Sequence, residues 1–340
     1  MEFAYKITVF TPAYNRAHTL EKLYRSLQRQ TFTDFEWLIV DDGSTDGTEE
    51  LVHYWQSEKN PFPIHYVWQE NGGKCRAINH GLKLAAGELF FTVDSDDYLL
   101  PDALETAAHW ETDLPKSGKF CAISGNLGTA PGETPNETLP EPYFDGTALD
   151  RYGAVKGERA LLFYTRVHRE YPYPVCEGER FMTEAVAWNR MAADGWKIRF
   201  YNEILTVYEY QPDGLTSAGD DLFWNNLQGT GIFFREKAQF LHDPVRKKLA
   251  MWYGYARKIR GPSSSSFFTL ATGSIISARP PRVVSVSEVI SSILPPLLLM
   301  VRAMSTSMRF SPVRLINMLR WLLGALAAIR YICPTEAVRL

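Results

Sequence analysis

Three carboxylates fall within four positions, Asp94, Asp96 and Asp97, directly after the apolar run Leu89-Phe90-Phe91-Thr92-Val93. Oxygen donors grouped in this way suit a hard divalent cation, Mg²⁺ or Mn²⁺, and through it the charge of a phosphate-bearing ligand. The apolar run reads as a buried strand. Aspartate is a poor strand former, so the acids mark where the strand stops. Pro101-Asp102 then begins the next helix. In α/β sheets, ligands bind at the carboxyl ends of the strands, which is where this chain puts its acids. The plain alternative is an Asp-rich turn, and the other polar loops must decide between the two.

Three more loops carry usable chemistry. Thr11-Pro12-Ala13-Tyr14-Asn15-Arg16 follows a strand at Ile7–Phe10. Asp41-Asp42-Gly43-Ser44-Thr45-Asp46 follows a strand at Phe35–Val40, and Asn71-Gly72-Gly73-Lys74 follows one at Ile64–Trp68. Helical spacing separates them, in Leu20, Leu23, Tyr24 and Leu27, then in Leu51, Val52 and Trp55, then over Ala77–Ala86 with Gly87 as its C-cap. A β-α-β-α-β-α-β alternation implies a mostly parallel sheet with right-handed crossovers. Gly72 and Gly73 permit close backbone approach to a ligand, and Lys74 supplies a cation beside them or is a solvated surface lysine.

Composition bounds the function. The 340 residues hold one large domain with an appendage, or two domains. A net charge of -3 argues against general nucleic-acid binding. Cys75, Cys121, Cys176 and Cys333 show no paired spacing, which fits a reducing, cytoplasmic compartment and gives no zinc site. The N-terminus lacks the pattern of a signal peptide, and no apolar run is long enough to span a bilayer.

Beyond Glu111 the pattern weakens. Thr129–Pro142 reads as an exposed loop, Ala160–Arg166 as a strand, and Glu184–Ala193 as a helix stopped by Asp194-Gly195. Trp196–Tyr201 and Ile204–Tyr210 read as two strands, and Leu222–Leu241 is helical in spacing.

Taken in order, Thr11-Pro-Ala-Tyr14-Asn15, Asp41-Asp42-Gly-Ser-Thr-Asp46, Asn71-Gly-Gly-Lys74 and Asp94-Ser95-Asp96-Asp97 resemble the family 2 glycosyltransferases. The resemblance is dense over the first third. It extends more weakly through Glu177-Gly-Glu179-Arg180-Phe181 and Glu184 to Tyr210–Thr216. It implies a GT-A fold, an α/β architecture with a mostly parallel Rossmann-like sheet flanked by helices, and inverting sugar transfer from a nucleotide-diphosphate donor. By the same resemblance Asp96 is the metal ligand, and Asp94, two residues away on the strand and pointing the same way, helps to hold the metal or the ribose. Asp42 accepts from the nucleobase, with Pro12 and Tyr14 flanking it, and Thr11, Gly73, Lys74, Asp94 and Ser95 complete the donor site. Asp97 either supports the metal ligands from behind or caps the turn. Arg76 and Asn79 are weaker candidates. The catalytic base is Glu184 or Glu179. Arg190 and Gly195-Trp196 set a register that favours Glu184, although Thr183 breaks the acidic pair expected there.

The implied partners are a UDP-sugar donor and a saccharide or lipid-linked acceptor in surface-polysaccharide synthesis. A nucleotidyltransferase is the rival class, but its Gly-rich basic first loop is missing. A binding module without transfer activity is the other, opposed by the intact Asp42, Asp94 and Asp96. Residues 1–217 would form the catalytic domain, with a donor half to about 110 and an acceptor half beyond it. Residues 218–266 would form a helical segment packed on it, and 267–340 an apolar, arginine-bearing tail. That tail suits helices lying on the inner face of an anionic membrane, or packing on the protein or in a homodimer.

Overall fold

Strand β1 (Tyr5–Ala13) is fully buried over Ile7–Thr11, and the elements that follow wrap both of its faces. Helix α1 (Leu20–Leu27), β2 (Phe35–Asp41), α2 (Thr48–Ser57), β3 (Ile64–Trp68), α3 (Lys74–Leu84) and β4 (Gly87–Thr92) complete the alternating half. The structure is a computed structural model and describes residues 3–211 and 214–259. The second half comprises β5 (Tyr98–Leu99), α4 (Ala103–Thr112), β6 (Phe120–Gly128), β7 (Phe144–Gly146), β8 (Arg159–Tyr164), α5 (Thr165–His168), α6 (Ala185–Ala193) and β9 (Lys197–Val207). Helices α7 (Asp221–Trp224), α8 (Leu227–Phe240) and α9 (Val245–Ile259) follow.

The strands form one sheet in the order β3-β2-β1-β4-β8-β6-β9-β5, with β7 on β9. The half β3-β2-β1-β4 is parallel, as the alternation requires. Beyond β4 the sheet turns mixed: β8 runs antiparallel to both β4 and β6, and β9 is parallel to β6. One apolar layer gathers the stacked rings of Tyr24, Trp37 and Trp55, and the other packs Phe10, Phe90, Ile78 and Val186. The chain divides into two units after Phe240, with the sheet and the site in the first and α9 in the second.

Several expectations need correction. Helix α3 begins at Lys74, earlier than Ala77, and its C-cap is Ala85. Gly87 is instead the first residue of β4, where a Cβ would lie 2.2 Å from the Thr8 nitrogen, so packing of two backbones fixes the glycine. The expected strands at 196–201 and 204–210 are one strand, β9. It continues through Asn202 because the Asn202 side chain bonds both main-chain atoms of Leu139. The helical stretch 222–241 is broken at Asn225-Asn226 into α7 and α8. Strands β5, β6 and β7 lay outside the sequence pattern. The apolar tail from 267 onward lies outside the described residues, and among those described no helix is long and apolar enough to cross a membrane.

Candidate active site

Lys74 stands at the first position of α3, where the helix dipole disfavours a cation. Two carboxylates hold it there. Its Nζ lies 2.7 Å from Asp94 Oδ1, at the end of β4, and 2.9 Å from Glu184 Oε1, at the start of α6. Partial burial opposes the lysine charge, yet Asp94 and Glu184 outweigh it and hold the ammonium well above the ordinary lysine range. Two regions far apart in sequence thus meet on one ammonium group at the carboxyl edge of the sheet.

Helix α3 also fixes the segment that leads to Glu184. Asn79 Oδ1 accepts from the Tyr173 amide and its Nδ2 donates to the Tyr173 carbonyl, each at 2.9 Å. Arg76 Nη2 donates to the Cys176 carbonyl at 3.0 Å, and Cys75 Sγ to the Met182 carbonyl at 3.0 Å. Gly73, at φ +91°, passes so close to Arg180 that a Cβ would lie 1.7 Å from its carbonyl oxygen. Arg76 and Asn79 therefore serve as anchors of the 173–182 segment.

The acidic group is more crowded than its sequence suggests. Strand β4 ends at Thr92, so Asp94, Asp96 and Asp97 lie in a turn closed by the Asp97 amide on the Asp94 carbonyl at 3.1 Å. The alternation argument for Asp94 and Asp96 does not apply, because neither is in the strand. Burial and the charge of Asp94 raise the Asp96 pKa. Burial, then the charges of Asp94 and Asp96, push Asp97 up to about 8. No group of three or more His, Cys, Asp or Glu side chains among the described residues could hold a metal ion by itself. Crowded oxygen donors of like charge nonetheless suit a divalent cation that takes its remaining ligands from a bound phosphate.

The other expected donor residues divide into contacts and supports. Asp42 is buried, and its carboxylate accepts from Gln69 Nε2 at 2.6 Å and from the Gly72 and Gly73 amides at 2.9 and 2.7 Å. It braces the glycine loop and keeps about one acceptor position free. Thr11 is fully buried and its hydroxyl takes the Trp37 indole N–H at 3.0 Å, which turns it toward the core. Ser95 is buried as well. Pro12 is half-buried and Tyr14 is exposed, as a flank for a ligand ring requires. Asn15 adopts φ 53°, and its amide and side chain bond Ser44 and Thr45, locking the first two loops together.

The two candidate bases have different surroundings. Glu179 accepts from the Gln228 amide at 2.7 Å and the Gly229 amide at 2.9 Å, so it caps α8. Glu184 faces Lys74 and lines a cleft that Asp94 and Asp97 also line. Arg159, His168, Tyr173, Trp188 and Thr206 line it too, and no motif marked them in the sequence. Trp188 was within reach of sequence reasoning, since it lies four residues after Glu184 and shares its side of the helix.

Residues 8–147 match the family model described as Glycosyl transferase family 2. An uncharacterized glycosyltransferase of Mycoplasma pneumoniae is 38% identical over 130 residues, 36% of this chain and 42% of that protein. The poly(ribitol-phosphate) beta-N-acetylglucosaminyltransferase TarS of Staphylococcus aureus is 37% identical over 139 residues, 40% of this chain and 24% of that one. The crystal structure of TarS residues 1–349 with UDP-GlcNAc superposes with a TM-score of 0.56 at 19% identity, over 78% of this chain and 75% of that one. The fold is therefore GT-A. Residues 8–147 are thus similar to glycosyltransferase family 2, and the match does not extend over the rest of the chain. It spans less than half the length of the first curated relatives it matches.

Proposed function

We propose that this protein moves a sugar from a nucleotide-diphosphate donor, a UDP-sugar first, to a hydroxyl of a saccharide or lipid-linked saccharide, with inversion. The observation that carries the reading is Lys74 held between Asp94 and Glu184, a cation and a carboxylate on opposite chain segments facing one cleft. The cation balances the charge that grows on the diphosphate as the sugar leaves. The carboxylate of Glu184 takes the acceptor proton as the hydroxyl attacks. Glu179 is a poorer base because its two oxygens already serve the α8 amides. Asp96 and Asp94 would hold the divalent ion, which supplies Lewis acidity at the leaving diphosphate. Asp42 fixes the loop that presents Lys74, and its remaining lone pair suits a nucleobase N–H. The likeness to a UDP-GlcNAc-bound fold supports the nucleotide donor. Relatives named as a poly(ribitol-phosphate) transferase and a chondroitin synthase support a polymer acceptor of the surface-polysaccharide kind.

The test is release of nucleoside diphosphate from a panel of nucleotide-sugars, with Mg²⁺, with Mn²⁺ and with EDTA. Transfer that proceeds equally in EDTA would remove the metal from this account. Absence of release from every donor, under conditions where the donors bind, would leave a nucleotide-sugar-binding protein.

A further inference from the structure

Buried polar side chains in folded proteins nearly always have partners. Among the described residues, Arg159, His168 and Thr206 carry buried side-chain atoms without one, and all three line the cleft beside Glu184. Arg159, 7% exposed at the start of β8, uses only Nη1, on the Tyr201 carbonyl at 3.0 Å. Among the described residues its Nε and Nη2 have no hydrogen-bond partner, although Glu158 is its neighbour in sequence. Burial lowers its pKa only to about 10, so it is charged at neutral pH. The Thr206 hydroxyl is likewise without a partner among the described residues, whereas the Trp188 indole N–H is turned to the Tyr173 hydroxyl. Arg151 stacks over the Trp188 ring at 4.5 Å and adds a second cation. Of the acids that line the cleft, Asp94 and Glu184 are bound by Lys74, Asp97 is pushed up to about 8 by burial and its acidic neighbours and so is largely protonated at neutral pH, and Glu158 is the fourth.

We propose that Arg159, with Thr206, forms an oxyanion subsite beside the Trp188 ring that takes a phosphate or carboxylate group of the acceptor. A planar guanidinium with two free N–H groups matches such an anion in two-point fashion. The subsite lies on the acceptor side because Trp188 is one helical turn from Glu184, whereas the donor side is served by Lys74. This rests on the reading of Glu184 as the base, and it narrows the acceptor from any sugar hydroxyl to one on an anionic glycan or polyol phosphate.

Ligand-observed NMR titrations of the full chain test it, with glycerol 3-phosphate and glucuronate as probes against glycerol and glucose, each with and without UDP. Anionic probes should bind about tenfold or more tightly than their neutral counterparts, as a charge-assisted fork implies. Arg159→Met should remove that preference while UDP affinity is unchanged. Arg159→Lys, which keeps charge but loses the fork, should retain part of it and serves where the methionine variant does not fold. Thr206→Val should weaken the anionic probes by a smaller factor. The two probes distinguish phosphate from carboxylate. Equal binding of charged and neutral probes, a preference that survives in both Arg159 variants, or loss of UDP affinity in Arg159→Met would overturn the proposal. Failure of UDP to bind the wild-type chain would count against the donor reading alone, because the anion preference is also measured without UDP.

Discussion

Glu184 Oε1 lies 2.9 Å from Lys74 Nζ, although 110 positions separate the two residues in sequence. The pairing aims the carboxylate into the cleft. Glu184→Gln keeps the shape and removes the base, so transfer should slow by roughly 10²–10⁴-fold with donor affinity nearly unchanged. Glu179→Gln should instead lower the melting temperature, since loss of a helix cap costs about 1 kcal/mol. Steady-state kinetics beside thermal melts would check both, and the reverse ranking would move the base to Glu179.

Asp96→Asn should abolish metal-stimulated transfer and leave the fold intact. The motive is the crowding that raises Asp96 and Asp97. Removing the Asp96 carboxylate from beside Asp94 should relieve repulsion, so the variant should melt no lower than the parent. Unchanged activity would remove the metal role from Asp96.

Asp42→Ala should act through the loop as well as the ligand. Two amides, the buried one of Gly72 and the partly buried one of Gly73, lose their acceptor, at a cost of about 1–3 kcal/mol. Calorimetry should show weaker nucleoside diphosphate binding, because the loop that carries Lys74 loosens. Wild-type affinity together with a wild-type melting temperature would contradict the bracing role.

Gly73→Ala tests the close passage of the two segments. A Cβ 1.7 Å from the Arg180 carbonyl carbon's oxygen cannot be housed unless the backbone moves. Transfer should fall by at least about tenfold, the order expected when a ~1 Å shift misplaces a catalytic group. Near-normal turnover would show that Glu184 is positioned independently of this contact.

Acid should expose His168. Burial lowers its pKa to about 3, so it stays neutral when folded while the unfolded chain takes up a proton near pH 6.5. Stability should therefore fall as pH drops from about 6.5 toward 3, by up to about 1.4 kcal/mol per unit. Asp97, raised to about 8, tilts the curve the other way over pH 4–8. The comparison to make is denaturant midpoint against pH for the wild type and His168→Phe. The variant should lack the His168 component, and parallel curves would refute the assignment.

The parallel half of the fold was readable because its strands alternate with amphipathic helices and each strand stops at a polar loop. The mixed half was not. Strand β6 is buried along nearly its whole length and carries Ser124, Gly125 and Asn126, which look like a loop. Asn202 looked like a break in β9 because its partner, Leu139, sits in an irregular segment 63 residues away. The donor loops could be found by motif, but the division of labour within them could not. Asp42 and Asp96 look equivalent as sequence, yet one takes three protein donors and the other is crowded by the charge of Asp94. Arg159 had no motif at all, since its unused N–H groups become visible only once the cleft closes around them.

The anchors that α3 sets on the 173–182 segment all reach main-chain atoms: the amide and carbonyl of Tyr173 and the carbonyls of Cys176 and Met182. A main-chain atom is the same whichever side chain it carries. The segment can therefore drift in sequence, trading residues that meet a new acceptor, without releasing Glu184 from Lys74. The arrangement separates inheritance from innovation, with a fixed donor helix acting as a clamp on a stretch of chain whose identity is left open.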